Sequence, residues 1–246
     1  IATAITADVS SKKAGKTPFK KEDFLKAVQD DAFIEKMVAK YPKLLASLPS
    51  KDSGVRYRLE GYLFPATYNY GKDTTVKEMI DQMLAAMDHN LTPYYETLES
   101  KNINVNEVLT LASLVEKEGA TDQDRKDIAS VFYNRLNQDM PLQSNIAILY
   151  AEGKLGQKTT LKEDATIDTE LDSPYNIYKN TGLMPGPVDN PGVSAIEAAV
   201  NPSKTDYLYF VANVENGEVF FAKTYEEHNK NVEEHVNSKL TQASSN

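Results

Sequence analysis

An apolar stripe runs along the segment from Asn106 to Glu118. At about 100° per residue, four apolar side chains fall on one face of a helix: Val108, Leu111, Leu114 and Val115. Either Asn104 or Asn106 can cap the start of this helix, and Gly119 ends it. The pattern predicts an amphipathic helix whose apolar face is covered by the rest of the chain.

Glu118 falls in the middle of that apolar face, whereas Glu116 points roughly 160° away from it. We therefore expect Glu116 to be solvated or ion-paired. Partial burial raises the pKa of a carboxyl, and the negative end of the helix dipole at Gly119 acts on Glu118 in the same direction. A carboxyl with a raised pKa suits a general acid that protonates a leaving oxygen. The alternative is that Glu118 extends into water at a frayed helix end.

The remaining segments predict more helices and one hairpin. Three further helix starts carry capping residues: Thr75, Thr121 and Thr224. Asn216-Gly217 separates two apolar runs, which is a strong short-range signal for a β-hairpin. The sum predicts an α+β fold, mostly helical with one hairpin. Residues 1–50 form a small helical piece, an incomplete subdomain, and residues 51–246 form the main domain.

Composition excludes several classes of function. The chain has 246 residues and a net charge of −9, which argues against a nucleic-acid partner. It has no cysteine and only three histidines, spaced too far apart for a helical metal pair, so we predict neither a metal site nor a cofactor. No run of about 18 apolar residues is present to span a membrane. The chain begins with Ile1 and not Met, so we expect that a signal or anchor has been cut away.

Two loops carry candidate saccharide-binding residues. The segment 172–192 is long and rich in proline and glycine, and it contains Tyr175, Asn176 and Tyr178. Tyrosine rings stack on sugar rings, and asparagine amides bond hydroxyl and N-acetyl groups. The second stretch is Gln143-Ser144-Asn145. The alternatives are a plain surface connection for the first loop and helix caps for the second.

Other catalytic patterns are absent from the sequence. It has no phosphate-binding or dinucleotide glycine motif, no G-x-S-x-G elbow and no H-E-x-x-H motif. A two-carboxylate glycosidase needs a partner for Glu118. Asp164 and Asp168 are candidates, but spacing does not select either.

Five motifs follow one another along the chain. One is the helix segment Leu111-Ala112-Ser113-Leu114-Val115-Glu116-Lys117-Glu118. The other four lie in the stretches 59–65, which is followed by Thr67-Tyr68, 130–136, 173–187 and 201–212. Together and in this order they resemble the YceG-like (MltG-type) family of endolytic peptidoglycan transglycosylases, and the segment from Leu111 to Glu118 resembles the catalytic helix of that family. The resemblance covers roughly residues 55–240 and places the catalytic glutamate at Glu118. Where the family often has an aspartate after Gln-Ser, this chain has Asn145.

The resemblance implies a mostly helical, lysozyme-like catalytic domain, preceded by a small LysM-like module that is only partial in residues 1–50. It also implies an N-terminal membrane helix, hence a place at the outer face of the bacterial cytoplasmic membrane. Peptidoglycan glycan strands are the implied substrate, with cell-wall synthases as candidate partners. Glu118 would act as acid and base, leaving 1,6-anhydro-MurNAc ends, and Gln143 to Asn145, Tyr175, Asn176 and Tyr178 would line the cleft. The alternatives are a hydrolytic muramidase and a non-catalytic wall-binding or scaffold module.

Overall fold

The computed structural model describes residues 1–8, 15–156, 167–213 and 216–238. Its helices and strands follow this order: β1 (Ala7–Asp8), β2 (Gly15–Lys16), α1 (Lys21–Ala27), α2 (Asp31–Lys40), α3 (Val76–Leu91), α4 (Tyr95–Ser100), α5 (Val105–Glu118), α6 (Asp122–Asn137), α7 (Asn145–Ala151), α8 (Val193–Val200), β3 (Tyr209–Ala212), β4 (Val219–Ala222) and α9 (Tyr225–Val232). The described part is mostly helical, with antiparallel pairs β1–β2 and β3–β4. The α+β class predicted from the sequence is therefore confirmed.

Side-chain caps set the helix starts that the sequence predicts. Reciprocal capping boxes begin α3, α5, α6 and α9, at Thr75, Asn104, Thr121 and Thr224. Asn104 is the cap of α5, because its side chain accepts a hydrogen bond of 3.0 Å from the backbone N–H of Glu107. Asn106, the other candidate, instead donates to the backbone carbonyl of Pro185 at 3.0 Å and so ties α5 to the long loop.

Helix α5 is buried on nearly every side. Besides the predicted stripe, Leu109 and Ala112 are also fully buried, because α8 and α6 both pack against this helix. The buried hydroxyl of Ser113 donates to the carbonyl of Thr110 at 2.8 Å and accepts from the backbone N–H of Val188 at 3.0 Å. α5 is the central helix of the fold, and its packing holds the position of its last residue, Glu118.

The first fifty residues pack on the same core as the rest of the chain. Phe24, Ile34 and Leu44 belong to one hydrophobic cluster together with the residues of α3 and α5, and α1 packs on α3. Lys40 forms an ion pair of 2.6 Å with Asp81 of α3. A domain boundary at residue 50 stays a prediction.

The predicted hairpin is present as β3 and β4. Tyr209 pairs with Ala222, and Ala212 pairs with Val219. Asn213 extends the pairing by donating from its backbone N–H to Glu218 at 2.8 Å. Gly217 has a φ of 73°, which is the left-handed conformation that glycine adopts at low cost.

No helix of the described residues is long and apolar enough to cross a membrane.

Candidate active site

Glu118 lies at the C-terminal end of α5 with its side chain partly exposed. Its Oε1 accepts a hydrogen bond of 2.7 Å from the Ser144 hydroxyl. Burial of the carboxyl raises the pKa of Glu118, and the bond from Ser144 lowers it in part. The site thus holds a buried carboxyl with a raised pKa, on a residue that is partly exposed as a whole.

Gly119 follows the last residue of α5, and this position requires glycine because a side chain does not fit there. A Cβ at this position would lie 2.6 Å from Cγ of Arg125 and 3.1 Å from its Cα. The φ of Gly119 is −94°, so the glycine is needed for close approach and not for a left-handed turn. The chain therefore turns directly from Glu118 into the start of α6.

Glu116 has the separate role that its position on the helix predicts. Its Oε2 accepts from the backbone N–H of Gly192 at 3.1 Å, and its Oε1 lies 3.9 Å from Arg125. The prediction of an ion-paired Glu116 is confirmed. The neighbouring Lys117 forms an ion pair of 3.4 Å with Asp189 of the long loop. Both residues fasten α5 to the loop that follows residue 172.

Ser144 both caps α7 and contacts Glu118. Its hydroxyl accepts from the backbone N–H of Ile146 at 3.2 Å and donates to Glu118. The side chain is buried. The sequence left two interpretations of Ser144 open, a helix cap and a site residue. In the structure it caps α7 and also contacts Glu118.

Gln143 and Asn145 lie on either side of Ser144. Gln143 is exposed and has a φ of 55°, a left-handed conformation that is costly for a residue with a Cβ. Its backbone N–H donates to the carbonyl of Ile177 at 3.0 Å, which holds this conformation. Asn145 is partly exposed, and its Oδ1 accepts a hydrogen bond from the hydroxyl of Tyr178. The two loops predicted to carry the site are therefore joined to each other.

Tyr178 lies close to the carboxyl of Glu118. Burial raises the pKa of Tyr178 to about 12, the charge of Glu118 adds to the rise, and the charge of Arg135 opposes it. The side chain is partly exposed, so its ring has a face toward solvent. The structure brings Tyr178, Asn145, Ser144 and Glu118 into one cluster.

Tyr175 and Asn176 do not have the position that the sequence reasoning gave them. The Tyr175 ring is 4% exposed and packs on Tyr150 with a centroid distance of 4.9 Å. Asn176 is fully buried, and its amide donates to the carbonyls of Thr169 and Leu171 at 2.9 and 2.8 Å. We correct their expected stacking and hydrogen bonding with sugar, because neither side chain is open to a ligand. They hold the loop that presents Tyr178.

Arg135 is the residue of this region that the sequence reasoning missed. It is 7% exposed, and its guanidinium donates to the carbonyl of Leu208 at 2.6 Å, to the carbonyls of Pro141 and Leu142 at 3.0 Å, and to Oε1 of Gln143 at 3.2 Å. It therefore joins α6, the Gln143 loop and the hairpin. The sequence feature that could have identified Arg135 is its position, as a charged residue, on the apolar face of the predicted helix.

No second carboxyl contributes to the shifted pKa of Glu118 within the described residues, where burial and Ser144 are the causes. Asp168 is exposed and accepts from the backbone N–H of Glu170 at 3.0 Å. Asp164 lies outside the described residues. Another buried carboxyl, Glu60, lines a cavity of about 240 Å³ beside Lys117 and Asp189. Burial raises the pKa of Glu60, and Tyr150 donates to it at 2.6 Å.

No cluster of three or more His, Cys, Asp or Glu side chains that could hold a metal ion occurs in the described ranges.

Comparisons with known proteins show the family to which the chain belongs. The model of the YceG-like family matches residues 3–234. The endolytic murein transglycosylase of Streptococcus pneumoniae strain D39 is 67% identical over 219 residues, which are 89% of this chain and 40% of that protein. The endolytic murein transglycosylase of Bacillus subtilis strain 168 is 42% identical over 227 residues, 92% of this chain and 61% of that protein. The chain thus spans about half the length of these curated relatives.

A crystal structure of a yceG-like protein from Listeria monocytogenes superposes on this chain with a TM-score of 0.78. The two are 47% identical, and the match covers 86% of this chain and 67% of the other.

Proposed function

Because the chain belongs to the YceG-like family, we propose that it is the catalytic part of an endolytic murein transglycosylase. It cleaves the bond between N-acetylmuramic acid and N-acetylglucosamine in nascent peptidoglycan strands and leaves 1,6-anhydro-MurNAc ends. The observation that carries the proposal is the carboxyl of Glu118, which has a raised pKa and accepts a hydrogen bond from the Ser144 hydroxyl, on a partly exposed residue.

The first step needs a protonated carboxyl. Glu118 donates its proton to the glycosidic oxygen as the bond to the muramic acid carbon breaks and positive charge develops at that carbon. A carboxyl with an ordinary pKa is mostly ionised at neutral pH, so only a small fraction of molecules could donate this proton. The buried surroundings of Glu118 favour the required form.

The second step uses the same carboxyl as a base. The carboxylate takes the proton from the C6 hydroxyl of the muramic acid, and that oxygen bonds to the anomeric carbon of the same sugar. Glu118 ends the cycle protonated, as it began, and no water is consumed. One carboxyl suffices because the nucleophile is part of the substrate and already close. Between the two steps the hydrogen bond from Ser144 stabilises the carboxylate.

The cluster around Glu118 supplies the sugar contacts in this proposal. Tyr178 presents a partly exposed ring, and Gln143 and Asn145 present amides beside it. Tyr175 and Asn176 support the loop from inside and do not touch the sugar. In place of the aspartate common in the family, Asn145 keeps a hydrogen-bonding group, which Tyr178 already engages.

The wider assignments are also proposals. Residues 51–246 would be a lysozyme-like catalytic domain, and residues 1–50 part of a LysM-like subdomain. The chain would work at the outer face of the bacterial cytoplasmic membrane as part of a membrane-anchored protein, with cell-wall synthases as candidate partners. The murein transglycosylase names of the Streptococcus and Bacillus relatives support the extracytoplasmic place.

The test is digestion of purified, uncrosslinked glycan strands, read by mass spectrometry. Wild type should release products one water molecule lighter than hydrolysed ones, and Glu118→Gln should release none. Glu116→Gln is the matched control, because it makes the same substitution on the same helix at a carboxyl that binds Gly192 and Arg125 instead. It should keep the activity.

The other outcomes separate the rivals. Hydrated products with a reducing end would make the protein a muramidase and would require a second group, such as Glu60, to activate water. Cleavage by Glu118→Gln equal to that by wild type would remove Glu118 from its role. Binding of strands without cleavage by any variant would indicate a wall-binding module.

A further inference from the structure

The outer face of the β3–β4 hairpin carries a layer of rings. Val211 pairs with Phe220, and Tyr209 lies two residues before Val211 on the same strand. Because side chains alternate between the two faces along a strand, Tyr209 and Phe220 lie on the same face. Helix α9 covers the face, and its His228 stacks on Tyr209 with centroids 5.3 Å apart and an interplanar angle of 25°. His235, one turn beyond α9, stacks on Phe220 at 3.6 Å. The opposite face packs on the core through Phe210.

One ring of this layer is open to solvent. Tyr225, the first residue of α9, is 64% exposed, and Val193 is the other exposed large hydrophobic residue of the described ranges. The Tyr225 centroid lies 6.0 Å from that of Tyr209 and 6.3 Å from that of His228. The exposed tyrosine is therefore the edge of a supported aromatic group and not an isolated surface ring.

The buried side chain of Arg135 links this group to the residues of the proposed cleft. Its guanidinium carbon lies 5.0 Å from the centre of the Tyr209 ring, while the same guanidinium donates to Gln143 at 3.2 Å. Its charge also lowers the pKa of Tyr178, the ring beside Glu118. A single side chain thus spans from the residues around the catalytic carboxyl to the aromatic layer.

The surroundings of His228 disfavour a positive charge on its imidazole. Burial and then the charge of Arg135 lower the pKa of His228, so its imidazole is neutral at neutral pH. A neutral imidazole avoids repulsion from Arg135 and keeps its stack on Tyr209.

We infer that Tyr225, supported by Tyr209 and His228, forms a distal saccharide subsite that holds a sugar ring of the strand beyond those bound around Glu118. The apolar C–H face of a pyranose ring packs on a tyrosine ring, and the phenol hydroxyl remains free to bond a sugar hydroxyl. The inference rests on the proposed function and adds a preference for strands long enough to reach this subsite.

The test compares strand lengths. For wild type, Tyr225→Ala and Tyr225→Phe, kcat/KM is measured on long uncrosslinked strands and on the shortest fragments that are cleaved. We expect Tyr225→Ala to lower kcat/KM on long strands about fivefold, mainly through KM, and to leave kcat/KM unchanged on fragments too short to reach the subsite. Tyr225→Phe keeps the ring and should retain most of the wild-type value. Thermal melting of all three proteins checks that the fold is intact.

Binding is measured separately in an inactive background. Kd for long strands is compared between Glu118→Gln and Glu118→Gln/Tyr225→Ala, with an expected weakening of about fivefold. Equal values of kcat/KM for wild type and Tyr225→Ala at every length would overturn the subsite, and cleavage by wild type would leave the proposed function standing. An equal loss at every length would also overturn it, because a distal subsite cannot act on a fragment that does not reach it.

Failure of the proposed function gives a different pattern. If wild type cleaves nothing, the Kd pair still decides the inference: weaker binding in the double variant supports a glycan-binding subsite, and equal or absent binding overturns it.

Discussion

Removal of the Ser144 hydroxyl should affect stability and catalysis by separate amounts. Ser144→Ala removes the N-cap of α7, where the hydroxyl accepts from Ile146 at 3.2 Å. Loss of such a cap costs about 1 kcal/mol, which lowers the Tm of a chain this long by about 2–4 °C. The variant also removes the 2.7 Å hydrogen bond to Glu118. A hydrogen bond to a charged group contributes about 1.5–3 kcal/mol, so the rate should fall about 10- to 150-fold.

The pH dependence of this variant has a definite sign. The bond from Ser144 lowers the pKa of Glu118, so its loss raises that pKa further. The first step needs protonated Glu118. The alkaline limb of the kcat/KM profile should therefore move to higher pH in Ser144→Ala, even as the maximum rate falls.

The assay is kcat/KM on uncrosslinked strands across pH, together with thermal melting. Thr75→Ala is the control, because Thr75 also caps a helix with its side chain, and its partner is Glu78 of α3 and not Glu118. It should lose a similar amount of Tm and keep the wild-type activity and pH profile. Equal activity of Ser144→Ala and Thr75→Ala, or an alkaline limb that moves to lower pH, would refute the role given to Ser144.

Three further predictions concern stability, each measured by thermal or denaturant unfolding. Glu118→Gln should be more stable than wild type at neutral pH, because the pKa of Glu118 is raised and ionising this carboxyl therefore costs the native state free energy. This gain in stability should shrink as the pH falls and vanish below the ordinary pKa of 4.5. Asn176→Ala should lose about 2–4 kcal/mol, because two loop carbonyls lose their donor. Gly61→Ala should lose about 3 kcal/mol or more, since φ is 86° and a Cβ would lie 2.2 Å from Pro187. Gly182→Ala, with φ of 85° and open space, is its control and should lose about 1–2 kcal/mol.

Each of these has a contradicting result. A Glu118→Gln protein that melts below wild type at neutral pH would mean that the carboxyl is not destabilised by burial. Asn176→Ala with unchanged stability would mean that its loop is held by other contacts. Equal losses in Gly61→Ala and Gly182→Ala would show that φ alone, and not the contact with Pro187, makes residue 61 sensitive.

Features that depend on neighbours three or four residues away can be predicted from the amino-acid sequence before any fold is known. A capping box is a pair of hydrogen bonds within one turn, so Thr75 and Thr224 could be assigned before any fold was known. The placement of Glu118 and Glu116 on different sides of α5 follows from helical periodicity alone. That is why the raised pKa of Glu118 could be anticipated.

Contacts between side chains far apart in the sequence, and the exposure of each side chain to solvent, depend on how the helices and loops pack. Ser144 reaches Glu118 across 26 positions, and Arg135 reaches Leu208 across 73. Tyr175 and Asn176 are residue types that suit a sugar-binding loop, yet the fold buries both side chains. A buried backbone carbonyl must find a donor, and in this loop the amide of Asn176 is that donor. An amide can bond a sugar or its own loop equally well, and only the packing around it selects between them.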